Sequence, residues 1–193
     1  MTAMRDAIID GDIAKVRLLL KAGVPASGET DCFPFLCIAA MLVKEDIFTL
    51  LVDNGAPLTT PRLLDWAVDG GGGRLKPSIA IVGRILREVP HGRSAVTAAL
   101  RFACVSGNVD VVRLLLEQGG DPNGQDEEAN ACPLSNAIRH GHAEIVDLLL
   151  ESGADATQSV YEEDDLGDLT GRKVTFVDLA VQHAYPEIAK MVG

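Results

Sequence analysis

The chain has 193 residues, 47% of them hydrophobic but only 4% aromatic, and a formal net charge of −11. That apolar content excludes a disordered chain, and the shortage of aromatics requires a core of Ala, Leu, Val and Ile, which suits small, closely spaced helices. From Asp121 to Asp168 there are 13 Asp and Glu against one basic residue, Arg139. This acidic C-terminal half argues against nucleic acid as a ligand and for a basic protein partner, with solubility as the plainer reading of the same charge.

The apolar run Phe33–Val43 is broken by Lys44, Glu45 and Asp46. It is too short to span a bilayer, so no membrane partner is expected. The N-terminal MTAMRDAIIDGD lacks a basic stretch followed by an apolar core and reads as the start of a cytosolic protein. Cys32, Cys37, Cys104 and Cys132 form no CxxC pair, so they are expected to be reduced and structural rather than zinc ligands.

In chain order, residues 1–27 place Ala7 before Gly11, then Val16 and Leu18–Leu20 before Gly23. This predicts an inner helix and an outer helix, each stopped by glycine. Residues 28–59 restate the pattern with Leu36, Ala39, Phe48, Leu51 and Gly55. In residues 60–93, Leu64, Trp66 and Ala67 mark an inner helix, and Ile81, Val82 and Ile85 mark an outer one. Trp66 is expected in the core, with no other aromatic near it in sequence. Between the two helices, DGGGGRLKPS reads as an expanded turn. It is not a phosphate loop, because Leu75 precedes Lys76 and Pro77 follows it, where that loop needs Gly and Ser or Thr.

Residues 94–127 carry Leu100, Phe102 and Ala103 along an inner helix, Gly107 as its stop, and Val111–Leu116 as an outer helix. In residues 128–169, Leu134 and Ala137 precede Gly141, and Ile145, Leu148 and Leu149 precede Gly153. Residues 170–193 have Val177, Leu179 and Ala180, then a short outer helix with Ile188 and Val192. The phrase GNVDVVRLLLEQGG at 107–120 returns as GHAEIVDLLLESGA at 141–154. A fixed period of this kind means stacked repeats, each too small to bury its apolar face alone.

The segment CPLSNAIRHGHAEIVDLLLESGADAT, residues 132–157, resembles the ankyrin repeat through Pro133, Leu134, Ala137, Gly141, His142, Ile145 and Val146, and through Leu148–Leu150, Gly153 and Asp155. The resemblance implies an all-α ankyrin-repeat solenoid of stacked helix-turn-helix units with hairpin-like loops. It implies a single domain over 1–193 with about six repeats, the first and last as caps. The family's inner-helix His is absent, its slot holding Arg5, Cys37, Asp65, Arg101, Ser135 and Asp178, so looser loops and modest stability are expected. Asn136 stands where a core Leu belongs and is expected to bond a neighbouring loop.

In the ankyrin family the inner helices and the loops between repeats bind protein partners. Carried over by position, this gives Arg139 and His140 on an inner-helix edge, and Asp126, Glu127 and Glu128 on a loop tip. It also gives Tyr161, Glu162, Glu163, Asp164 and Asp165 in the segment 159–169, which is too long for a plain repeat connection. Tyr161 ringed by acids is expected to form the mouth for a basic protein. His140 and His142 lack a third ligand at zinc spacing, and the acids of 162–165 lack the calcium-loop pattern, so no metal or cofactor is expected. No Ser or Cys stands in a nucleophile context, so no catalytic residue is assigned. The expected function is that of a monomeric, non-enzymatic cytosolic adaptor or inhibitor. Two alternatives stay open: a structural or self-associating repeat module, and an immunity- or antitoxin-like neutraliser of a cognate protein.

Overall fold

A helix that must stop and reverse within a few residues needs a backbone that turns left-handed, and Gly11, Gly107 and Gly141 do so after inner helices with φ of 70–74°. The computed structural model describes residues 2–30, 33–60, 62–126, 130–163 and 169–193, with only the backbone at Glu163. Among them, twelve helices follow one another in pairs. The chain divides into two compact units, Met1–His91 and Gly92–Gly193.

In the first unit the inner helices are α1 (Thr2–Asp10), α3 (Phe35–Met41) and α5 (Leu63–Gly73). The outer helices are α2 (Ile13–Lys21), α4 (Glu45–Asp53) and α6 (Ile79–Glu88). Each layer packs in order, α1 on α3 on α5 and α2 on α4 on α6. Ile8, Val16, Phe35, Leu51 and Ile85 are fully buried between the layers. The second unit repeats the scheme with inner helices α7 (Arg93–Ser106), α9 (Pro133–Arg139) and α11 (Phe176–Gln182). Behind them lie α8 (Val109–Glu117), α10 (Ala143–Glu151) and α12 (Pro186–Val192), around a core that includes Leu100, Leu115, Leu134 and Leu149. Burying each such side chain stabilises the fold by about 1.5–3 kcal/mol, so the apolar face that one pair presents to the next is the main cohesive force. The all-α repeat fold is thus as expected.

Helix starts are fixed by side chains. Asp12, Ser78 and Asn108 each accept the backbone N–H three residues on, and so begin α2, α6 and α8. Cys132 with Ser135, and Thr175 with Asp178, form reciprocal caps at α9 and α11. Ser135 and Asp178 occupy two of the slots from which the family's His is missing, and there they hold their own helix ends instead.

Four features differ from the expectations. Gly70–Gly73 are not turn residues: α5 runs through them to Gly73, and the Leu75 N–H returns to Gly70 O at 2.8 Å. Gly70 and Gly71 have φ of 55° and 69°, and a Cβ on Gly70 would run into Leu75 O, so only glycine winds this helix end closed. Phe102, expected along the packed face of its inner helix, is 40% exposed. The loops are not loose. Asn123 donates to Gly153 O and accepts from the Asp155 N–H at 2.7 Å, and the Asp121 N–H donates to Thr97. Last, the segment after α10 is not a structureless loop but a two-stranded antiparallel hairpin, β1 (Ser159–Glu163) and β2 (Leu169–Thr175).

Cys37, Cys104 and Cys132 are free and buried, and Cys32 lies outside the described residues. Burial pushes the Cys37 thiol up to about 11 and the Cys104 thiol higher still, so neither is an available thiolate.

Candidate partner-binding surface

The loop between α8 and α9 closes on itself through backbone bonds between Asp126 and Ala131, at 2.8 and 3.1 Å. Asp126 also accepts Arg101 Nη2 at 2.8 Å, and Arg139 Nη1 donates to Asn130 O at 3.1 Å. Asn130 has a left-handed φ of 47°, which aims its amide at β1. Its Nδ2 donates to Tyr161 O at 2.7 Å, and its Oδ1 accepts the Tyr161 N–H at 2.8 Å. One side chain therefore imitates a paired strand and clamps the hairpin to the preceding loop. A recess of about 260 Å³ between them is lined by Asp126, Asn130, Val160, Tyr161 and Lys173, among others.

The hairpin brings its own cations to the expected acidic mouth. Tyr161 lies opposite Lys173, whose ammonium is 5.3 Å from the ring centre. Glu162 accepts Gln182 Nε2 at 2.9 Å and Thr170 Oγ1 at 3.2 Å, and lies 3.6 Å from Arg172. In sequence, acids surround Tyr161, and only the register of the hairpin sets Arg172 and Lys173 opposite them. Tyr161 and Leu169 are 41% and 51% exposed, leaving two apolar groups open on the hairpin. Glu127, Glu128, Asp164 and Asp165 lie outside the described residues, as does the side chain of Glu163.

On the other edge of α9, His140 stacks on His142 with ring centres 6.1 Å apart. His142 Nε2 lies 3.0 Å from Val105 O and so ties the start of α10 to the end of α7. Among the described residues no three His, Cys, Asp or Glu side chains are grouped to hold a metal ion. Partial burial, followed by the nearby His142, Arg139 and His183, holds the His140 imidazole below its ordinary value. The unfolded chain then takes up this proton first. The stability contributed by neutral His140 is complete above the ordinary value of 6.5 and declines as pH falls through it toward the lower folded value. The urea midpoint is expected to drop between neutral and mildly acid pH, with His140→Gln flattening that drop. Asp155 and Asp178, both held below the usual carboxylate range by hydrogen bonds from Thr157 and Thr175, lose their contribution only at much lower pH.

Asn136 Nδ2 donates to Arg101 O at 3.1 Å, so its amide joins α9 to the preceding inner helix rather than to a loop.

One surface was not foreseen. In the first unit, Arg5 and Ile9 on α1, Thr30 and Phe33 before α3, Ile38 and Met41 on α3, and Leu42 capping its end enclose an open groove of about 400 Å³. Trp66 meets Phe33 edge to face at 5.0 Å, and the Arg62 guanidinium lies 5.3 Å from the Trp66 ring centre. Trp66 lacks an aromatic close in sequence, but Phe33 stands one repeat earlier. Phe33 precedes α3 while Trp66 lies within α5, so the two meet across repeats rather than at matching positions.

Residues 78–160 match the family model of ankyrin repeats (3 copies). No curated protein matches the chain.

Proposed function

We propose, from the premise that this is an ankyrin-repeat chain, that it is a cytosolic adaptor or inhibitor that binds a basic protein through its second unit. Ankyrin repeats are generally protein–protein interaction modules and typically non-enzymatic. The observation that carries the reading is charge: residues 92–193 hold 17 Asp and Glu against seven Arg and Lys. The clamped loop and hairpin supply a shaped place for contact within that field. Asp126, Arg139, His140, Tyr161 and Glu162 are the described members of the proposed surface; Glu127, Glu128, Asp164, Asp165 and the side chain of Glu163, assigned to it from the sequence, lie outside the described residues. Arg172 and Lys173 oppose part of this charge, so Tyr161 anchors while the acids steer.

The test is affinity capture at low and high salt, using the native chain and a variant with residues 162–165 replaced by Ser. One dominant basic partner is expected at low salt. It should weaken steeply as salt rises and be lost by the variant. Binding that ignores both salt and the substitutions defeats the proposal.

A further inference from the structure

The first unit carries a surface of opposite chemistry. The groove between α1 and α3 is walled by Ile9, Phe33, Ile38, Met41 and Leu42, with Arg5 as its charged wall residue. Ile9 is 47% exposed although it points into a groove that could have covered it. Trp66 and its Arg62 extend the same aromatic surface from Phe33. Trp, Arg and Met are side chains enriched where binding energy concentrates.

The charges say which partner fits. Among the described residues Arg5 is paired only with its chain neighbour Asp6, at 3.0 Å, both side chains about half exposed. Arg62 is paired with Asp65 at 3.2 Å, one helical turn along. Exposed local pairs of this kind add little stability, so both guanidinium groups can turn to a carboxylate that arrives with apolar cover. Among the described residues, none of those lining the groove carries a carboxylate. We infer that the groove between α1 and α3 docks a short apolar segment bearing carboxylates, supplied by a partner protein. This occupant differs in charge from the basic partner proposed for the second unit.

Trp66, the chain's single tryptophan, is a built-in reporter beside the groove. Its fluorescence would be followed while the full chain is titrated with three capped synthetic peptides. One carries Leu and Phe among glutamates, the second has lysines for the glutamates, and the third has alanines for the Leu and Phe. The glutamate peptide should shift the emission and bind at least about tenfold more tightly than either of the others. Ile9→Glu should weaken it by a similar factor. Leu18→Glu, on the outer face of α2 where Leu18 is 67% exposed, should leave it unchanged. Arg5→Gln should narrow the gap between the glutamate and lysine peptides. Circular dichroism establishes that each variant is folded. The inference is overturned by a silent glutamate peptide, by equal binding of the lysine peptide, or by an Ile9→Glu chain that binds normally. The hairpin variant with Ser at 162–165 should bind the glutamate peptide as the native chain does, so this result and the capture experiment fail independently.

Discussion

Gly141→Ala is expected to destabilise the protein by about 2–4 kcal/mol, whereas the same change at Gly153 costs about 1–2. Both glycines have left-handed backbones, with φ of 70° and 89°. A methyl group at Gly153 meets nothing within 4 Å, so its cost is conformational alone. At Gly141 the methyl would sit 2.6–2.8 Å from the Tyr185 ring atoms Cζ, Cε1 and Oη. That ring lies flat over the end of α9 and stacks with His183 at 6.4 Å, so several atoms must move together. The same dovetail recurs one repeat earlier, where the His142 ring lies 2.5 Å from a Cβ on Gly107. Urea unfolding of both alanine variants measures the difference. In a Tyr185→Ala background the cost of Gly141→Ala should fall to the Gly153 value. If it does not, the glycine serves only the backbone and the joint between repeats is held elsewhere.

Asn130→Gly is expected to cost about 2–3 kcal/mol and to speed exchange of the Tyr161 amide at least tenfold. Glycine accepts the left-handed φ of Asn130, so the substitution removes the amide while leaving the backbone unstrained. What is lost is both bonds to Tyr161, in a residue only 8% exposed. Tyr161 N–H and C=O then lack their partner on the side of β1 away from β2. Hydrogen exchange read residue by residue should show the change confined to the hairpin and the 126–131 loop, with α9 and α10 unaffected. A Tyr161 amide that exchanges at the native rate would mean that pairing with β2 holds β1 without the clamp. The variant also bears on binding, because a hairpin that frays no longer presents Tyr161 and Leu169 in one place.

The repeat architecture was legible in the sequence because each unit states it locally. Leu134, Ala137 and Gly141 lie within one helix and its stop, as do Ile145, Leu149 and Gly153, so their spacing alone predicts where helices run and end. Other elements depend on contacts that no local spacing announces. Phe102 reads as core from its own helix but opens to solvent, since exposure at that slot is decided by neighbouring helices. Gly70–Gly73 read as a turn, yet they extend α5, because glycine permits either outcome and the closure onto Leu75 decides between them. Residues 159–175 show no clean alternation, with β2 almost wholly exposed, so no hydrophobic period announces a strand. Pairing with β1, and the amide of Asn130 reaching across 31 residues, make it one. Composition determined an acidic, aliphatic, helical repeat chain, since charge and period are sums over residues and need no partner. Only the tertiary structure decided that Lys173 faces Tyr161, that Arg172 approaches Glu162, and that Phe33 meets Trp66, because each of those contacts is set by register between elements.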